Sequence, residues 1–140
     1  MKTLSQRRAE TALGKVREVS LDREYRSKIE ETPGLIAVNG LLATLLHLQD
    51  KQHMIARHIA EWLAGPNSPV PWTTPPSDSL AKHLASETGV VYQAATLEAL
   101  EYTTWLKKWA QALIAKPQAS QASQTGAPQE VANGAVPGKG

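Results

Sequence analysis

The chain has 140 residues, enough for one compact domain with an appendage, and carries a formal charge of +2 with a pI near 9.0. There is no cysteine, which excludes a disulfide framework, a thiolate-ligated zinc and a thiol nucleophile. Phenylalanine is absent too, so Leu, Ala, Ile and Val must build most of the core, a composition that favours helix over sheet. The modest positive excess permits a phosphate-binding face without requiring one.

The amino-terminal MKTLSQRRAE has no apolar stretch behind its charges, so no secretory signal is expected. The most apolar run, residues 35–48, is interrupted by Asn39, Gly40, Thr44 and His47. It is shorter than the roughly 20 residues a membrane span needs. The expectation is a cytoplasmic protein that does not contact a membrane.

Thr3 followed by Gln6 forms a capping-box pattern, and Leu4, Ala9, Ala12, Leu13, Val16 and Val19 recur behind it at helical spacing. This predicts a first helix over residues 4–19. Ser20 can cap a second, shorter helix with Asp22 in its first turn and Leu21, Tyr25 and Ile29 on one side, ending near Glu31. Thr32 and Pro33 then read as the cap and first residue of a third helix. Apolar residues surround that helix almost completely from Leu35 to Leu48, which predicts burial on all sides. Gly40 in its middle suggests the close approach of a neighbour, and a buried Asn39 would need hydrogen-bond partners.

Asp50 and Lys51 mark a break before a fourth helix over residues 51–63, with Ile55, Ile59 and Trp62 opposite Arg57 and Glu61. Gly65-Pro66 stops it. Residues 65–76 hold five prolines and form a loop, which Trp72 should pin to the body. Asp78 opens a short helix carrying Leu80 and Leu84. A long helix follows over residues 89–116, capped by Thr88 and striped by Tyr92, Ala95, Ala99, Thr103, Leu106, Ala110, Leu113 and Ile114. At 1.5 Å per residue it spans on the order of 40 Å, long enough to be the central mast of a bundle. The fold class is therefore all-α: a single-domain bundle of five to six helices over residues 1–116. Residues 117–140, rich in Ala, Gln, Ser, Gly and Pro, read as a disordered tail.

No phosphate-binding glycine loop or nucleophile elbow occurs. His53 and His58 are five apart and do not share a helix face; His47 and His83 stand alone. Surface or hydrogen-bonded histidines are expected, and no metal or cofactor is assigned. The carboxylates sit mostly in helical ion-pair patterns such as Glu18 and Asp22 beside Arg17 and Arg26, so the expectation is a non-enzyme.

The basic residues are the candidate site. Arg8 and Lys15, seven apart, align on one edge of the first helix, with Arg7 before them and Arg17 on another side. Lys51 and Arg57 belong to the middle helices, and Lys107 and Lys108 lie late in the long one, between Trp105 and Trp109. If they converge, they can neutralise phosphates without reading bases; otherwise they merely solvate the bundle. Trp62, Trp105 and Trp109 can be stacking platforms, but their spacing beside Leu and Ala favours core or subunit-interface positions.

Several segments in order carry a resemblance: KTLSQRRAETALGKV, EYRSKIEETPGLIAVNGLLATLLHLQDK, HIAEWL and VYQAATLEALEYTTWLKKWAQAL. Asn39-Gly40-Leu41 with Lys51 ten residues on, and Glu98-Ala99-Leu100 before Trp105-Leu106-Lys107-Lys108, are the most telling. Together, over residues 2–113, they resemble the small-subunit family, the fifth Cmr protein, of type III-B CRISPR (Cmr) RNA-targeting complexes. Family members often carry phenylalanine where Trp109 and His47 stand here.

The resemblance implies an α-helical bundle whose copies stack into a minor filament, beside the backbone and large Cmr subunits. It implies contact with the guide RNA–target RNA duplex through backbone phosphates in antiviral defence, with cleavage left to other subunits and no small-molecule substrate. The residues expected to meet phosphate are Arg8, Lys15, Lys51, Lys107 and Lys108, then Arg7, Arg17 and Arg57. The alternatives are a protein–protein spacer that touches RNA little, and the related type III-A small subunit.

Overall fold

A computed structural model describes residues 1–116; the predicted tail lies outside the described residues. All regular structure among the described residues is helical: α1 (Leu4–Glu18), α2 (Arg23–Asn39), α3 (Leu41–Lys51), α4 (His53–Leu63), α5 (Leu80–Ala85) and α6 (Gly89–Leu113). None of these helices is long and apolar enough to cross a membrane.

Helix α6 is the mast of the bundle. Its most extensive packing is with α1 and α2. Helix α2 runs antiparallel to it: Arg26, near the start of α2, donates to the Ile114 carbonyl at 2.8 Å. At the other end the Leu42 amide, just past α2, donates to the Tyr92 hydroxyl at 2.9 Å. The core contains Val16 of α1, Ile29 and Ile36 of α2, Leu45 of α3, Ile59 of α4 and Leu106 of α6.

The predicted caps of α1 and α6 form. Thr3 and Gln6 make the reciprocal capping box, and the Thr88 hydroxyl accepts from the Val91 amide. The second helix departs from expectation. Its cap is Asp22, whose carboxylate accepts from the Tyr25 amide at 3.0 Å, and the helix continues through Pro33 to Asn39. Proline removes one ladder bond there. The continuous stripe of Tyr25, Ile29, Thr32 and Ile36, all buried, outweighs it. Thr32 does not cap; its hydroxyl donates back to the Lys28 carbonyl at 2.7 Å.

The break falls instead at Gly40, whose φ of 89° and ψ of 161° lie in a region that only glycine occupies readily. The apolar run is therefore two helices meeting at a corner, and it is not buried all round: Val38 and Leu46 are exposed, as is Asn39. The neighbour that Gly40 admits is Tyr92, whose hydroxyl caps the start of α3 in place of a side chain from residue 40. Gly40→Ala should lower stability by about 1–3 kcal/mol, the magnitude of a forced backbone outlier. A urea titration followed by circular dichroism checks it; a shift within error would mean that the corner relaxes.

After α4 the proline-rich segment packs back on the body. Val70 is buried, and the Trp72 indole donates to the Leu63 carbonyl at 2.8 Å, so Trp72 pins the loop as its sequence position suggests.

Candidate nucleic-acid interface

The eight basic residues singled out from sequence do not line one stripe. They fall into groups with different surroundings, and the first group is built into the fold.

Arg8 points from α1 onto α6. Its Nε and Nη2 each donate to a different oxygen of Glu98 at 2.7 Å. The pair is largely dry, with Arg8 14 % and Glu98 5 % exposed at the side chain. Glu98 Oε2 also accepts from the Trp62 indole at 2.8 Å, and Trp62 stacks on Tyr102 with ring centroids 5.0 Å apart. The hydrogen bonds to Glu98 hold the Arg8 pKa above its ordinary value against the opposing effect of burial. Helices α1, α4 and α6 thus meet on one carboxylate. The expectation of carboxylates on solvated faces fails for this one. Its signal in the sequence is position: Glu98 lies three residues after Ala95 and four before Tyr102, both buried.

Lys15 and Arg57 share a second carboxylate. Lys15 Nζ lies 2.7 Å from Glu61 Oε1, and Arg57 Nε donates to Glu61 Oε2 at 3.1 Å. The Lys15 hydrogen bond, then that of Arg57, pushes the Glu61 carboxyl below its usual range. This α1–α4 bridge keeps both cations at the surface, with their charge partly matched.

The remaining cations have looser company. Arg7 is exposed and donates to the Asn67 side-chain oxygen at 2.9 Å. Arg17 is exposed and has no ion-pair partner among the described residues. Lys51 sits at the end of α3, 3.5 Å from Asp50, and lines a cleft with Glu24, Ser27, Lys28 and Glu31 of α2. Lys107 faces the α2 side, where its field adds to the hydrogen bonds of Gln111 and Arg26 in lowering the Glu30 carboxyl pKa. Lys108 is exposed, with Nζ 4.8 Å from the Trp105 ring centroid. Neither Lys107 nor Lys108 has a carboxylate within ion-pair distance among the described residues.

The tryptophans divide as well. Trp62 is buried, and the Trp109 indole donates to the Ala9 carbonyl at 2.9 Å, so both act within the fold. Trp105, one turn before Trp109 on α6, is half-buried and bonds no described residue through its indole N–H.

His58 corrects the expectation of surface or satisfied histidines. It is fully buried; Nδ1 pairs with the Tyr25 hydroxyl at 2.8 Å, while Nε2 lacks a partner and lies 3.9 Å from Glu18 Oε1. Burial, aided by the charge of Lys15, lowers its pKa from 6.5 to about 4. Burial likewise raises the phenol pKa of both Tyr25 and Tyr102, so both hydroxyls stay protonated.

No curated protein sequence matches the chain. The sequence profile of a family described as CRISPR-associated protein (Cas_Cmr5) matches residues 4–113, from the first residue of α1 to the last of α6. With the whole bundle covered by that match, the chain belongs to the Cmr5 family of CRISPR-associated proteins.

Proposed function

We propose that the chain is the non-catalytic small subunit of a type III-B CRISPR (Cmr) effector in the cytoplasm. Its copies pack end to end beside the backbone and large subunits, and it tracks the guide RNA–target RNA duplex through backbone phosphates. The observation that carries the RNA part is the loosely matched charge on the last turns of α6. Lys107, which acts on Glu30 only through its field, and Lys108 have no carboxylate within ion-pair distance among the described residues, whereas Arg8 and Lys15 are engaged by Glu98 and Glu61. Phosphate tracking needs this kind of mobile cation, which adds affinity without reading bases. The phosphate set accordingly narrows to Lys107 and Lys108, with the exposed Arg7 and Arg17 beside them and Lys51 only loosely paired, 3.5 Å from Asp50. Arg57 shares its charge with Glu61, and Arg8 acts as a positioning residue.

The spacer reading draws support from a different observation. Exposed apolar residues mark both ends of the bundle: Leu21 and Leu113 where α2 begins and α6 finishes, Val38 and Val90 where α2 finishes and α6 begins. Contact between such ends would account for stacking without RNA.

Charge reversal separates the two. Lys51→Glu, Lys107→Glu and Lys108→Glu together should weaken target-RNA binding by the assembled complex. They should also flatten its dependence on salt, by roughly one unit of log–log slope for each phosphate no longer neutralised. Binding and slope unchanged from wild type would leave the spacer.

A further inference from the structure

We infer that Trp105, with Lys108 beside it, is a stacking site for a single unpaired nucleobase whose phosphate lies against the lysine. Such a site deepens the RNA reading above and rests on it.

The four indoles of the chain are used differently. Trp62 donates to Glu98, Trp72 to the Leu63 carbonyl and Trp109 to the Ala9 carbonyl. Each is a rivet, with its polar edge satisfied. Trp105 is half-buried, as Trp72 and Trp109 are, but its N–H has no acceptor among the described residues. An indole edge left without a partner calls for an explanation that its three riveted neighbours do not.

The cover on that ring supplies one. The group over it is the Lys108 ammonium, at 4.8 Å from the centroid, held by cation–π attraction. Such a contact is weak at an exposed site, so the lysine can swing aside at little cost. The ring then offers a π-face, and the displaced ammonium stays within reach as a phosphate partner. Lys108 has no carboxylate within ion-pair distance among the described residues. A π-face with an unpaired ammonium at its edge suits a nucleotide, which stacks through its base and offers its phosphate to the lysine. An apolar protein partner would have no use for the ammonium group.

A platform of this kind cannot take a base that is paired within a duplex. Its ligand is a single-stranded segment of RNA, at a duplex end or a displaced base, and stacking makes it tolerant of sequence.

The test uses the ¹⁵N-labelled full chain, whose tryptophans give one indole N–H signal each; Trp105→Phe assigns that of Trp105. The probes are a single-stranded oligoadenylate decamer and an abasic phosphodiester decamer of equal charge. Stacking predicts an upfield shift of the Trp105 signal with oligoadenylate and not with the abasic strand. It also predicts affinity about tenfold weaker in Trp105→Leu but largely kept in Trp105→Tyr. Equal shifts with both probes would reduce the site to phosphate contact and overturn the stacking, while leaving the RNA reading intact. A Trp105 signal that ignores both probes but moves on addition of RNA-free Cmr subunits would make Trp105 a protein contact and also overturn it. The wider reading fails separately, through the charge-reversal result on the assembled complex.

Discussion

Glu98→Ala is expected to lower the unfolding free energy by about 3–5 kcal/mol, the range for breaking a buried ion pair from one side. The loss arises less from the missing attraction than from what stays behind. Arg8, 14 % exposed, would keep its charge with no hydrogen-bonded carboxylate, only Glu101 acting on it from a distance, and the Trp62 indole would lose its acceptor. For a domain of this size that is a fall in melting temperature of roughly 15 °C. Replacing Arg8 and Glu98 together by Met and Leu should recover most of it, because an apolar pair leaves no orphaned charge. Thermal and urea unfolding of the three proteins checks the cycle; a Glu98→Ala loss under about 1 kcal/mol would show that water reaches the pair. The same geometry bears on RNA assays. A charge reversal at Arg8 should act through folding, so a fall in RNA binding by that variant is no sign of a phosphate contact.

The second large effect is on pH. His58 titrates at about 4 in the fold against 6.5 when unfolded, because burial disfavours the imidazolium. The unfolded chain therefore binds the proton first as pH falls. The stabilisation from keeping His58 neutral is complete above pH 6.5 and is lost as pH falls toward 4. The full loss is about 3 kcal/mol, with about 1.5–2 kcal/mol of it between about pH 6.5 and 5. That upper window isolates the histidine. Glu30, Glu61 and Glu87 have carboxyl pKa values below the ordinary 4.5, so their contributions are lost only at lower pH. For Glu87 the largest cause of that lowering is the hydrogen bond from the Thr73 hydroxyl. His58→Gln, neutral at every pH, should flatten the upper window while leaving the acid limb in place. A wild-type stability curve that is level across the upper window would mean that His58 is protonated within the fold, with Glu18 closing the 3.9 Å gap to meet it.

Much of this fold is legible from local chemistry. Thr3 and Thr88 announce helix starts because a hydroxyl three residues before an amide closes a cap by itself. Trp72 among prolines reads as an anchor because a large ring in a loop has only the body to pack on. The errors arise where two local signals compete and packing decides. Pro33 after Thr32 resembles a helix start, yet Tyr25, Ile29 and Ile36 bury as one stripe only if the helix runs on. Gly40 resembles a tolerated mid-helix glycine, and only its positive φ makes it the corner.

The candidate site is less legible than the fold. That Arg8 and Lys15 share an edge of α1 follows from their spacing of seven. That this edge faces Glu98 and Glu61 depends on partners far along the chain, 90 positions away in the case of Glu98, which no local pattern encodes. The burial of His58 depends in the same way on Tyr25, 33 positions away. Lys107 and Lys108 are visible in the sequence as a pair, but not their division between the α2 side and the Trp105 ring.

That this chain is a stacked, RNA-contacting subunit of a Cmr effector meets its most direct test in a native co-purification. The full chain, tagged in its own host, is recovered under mild salt, and the bound proteins and nucleic acid are identified and counted. Such a subunit should bring with it the backbone and large Cmr subunits, more than one copy of itself per complex, and a guide RNA. Recovery of the chain by itself, or with other proteins and no RNA, would contradict that role.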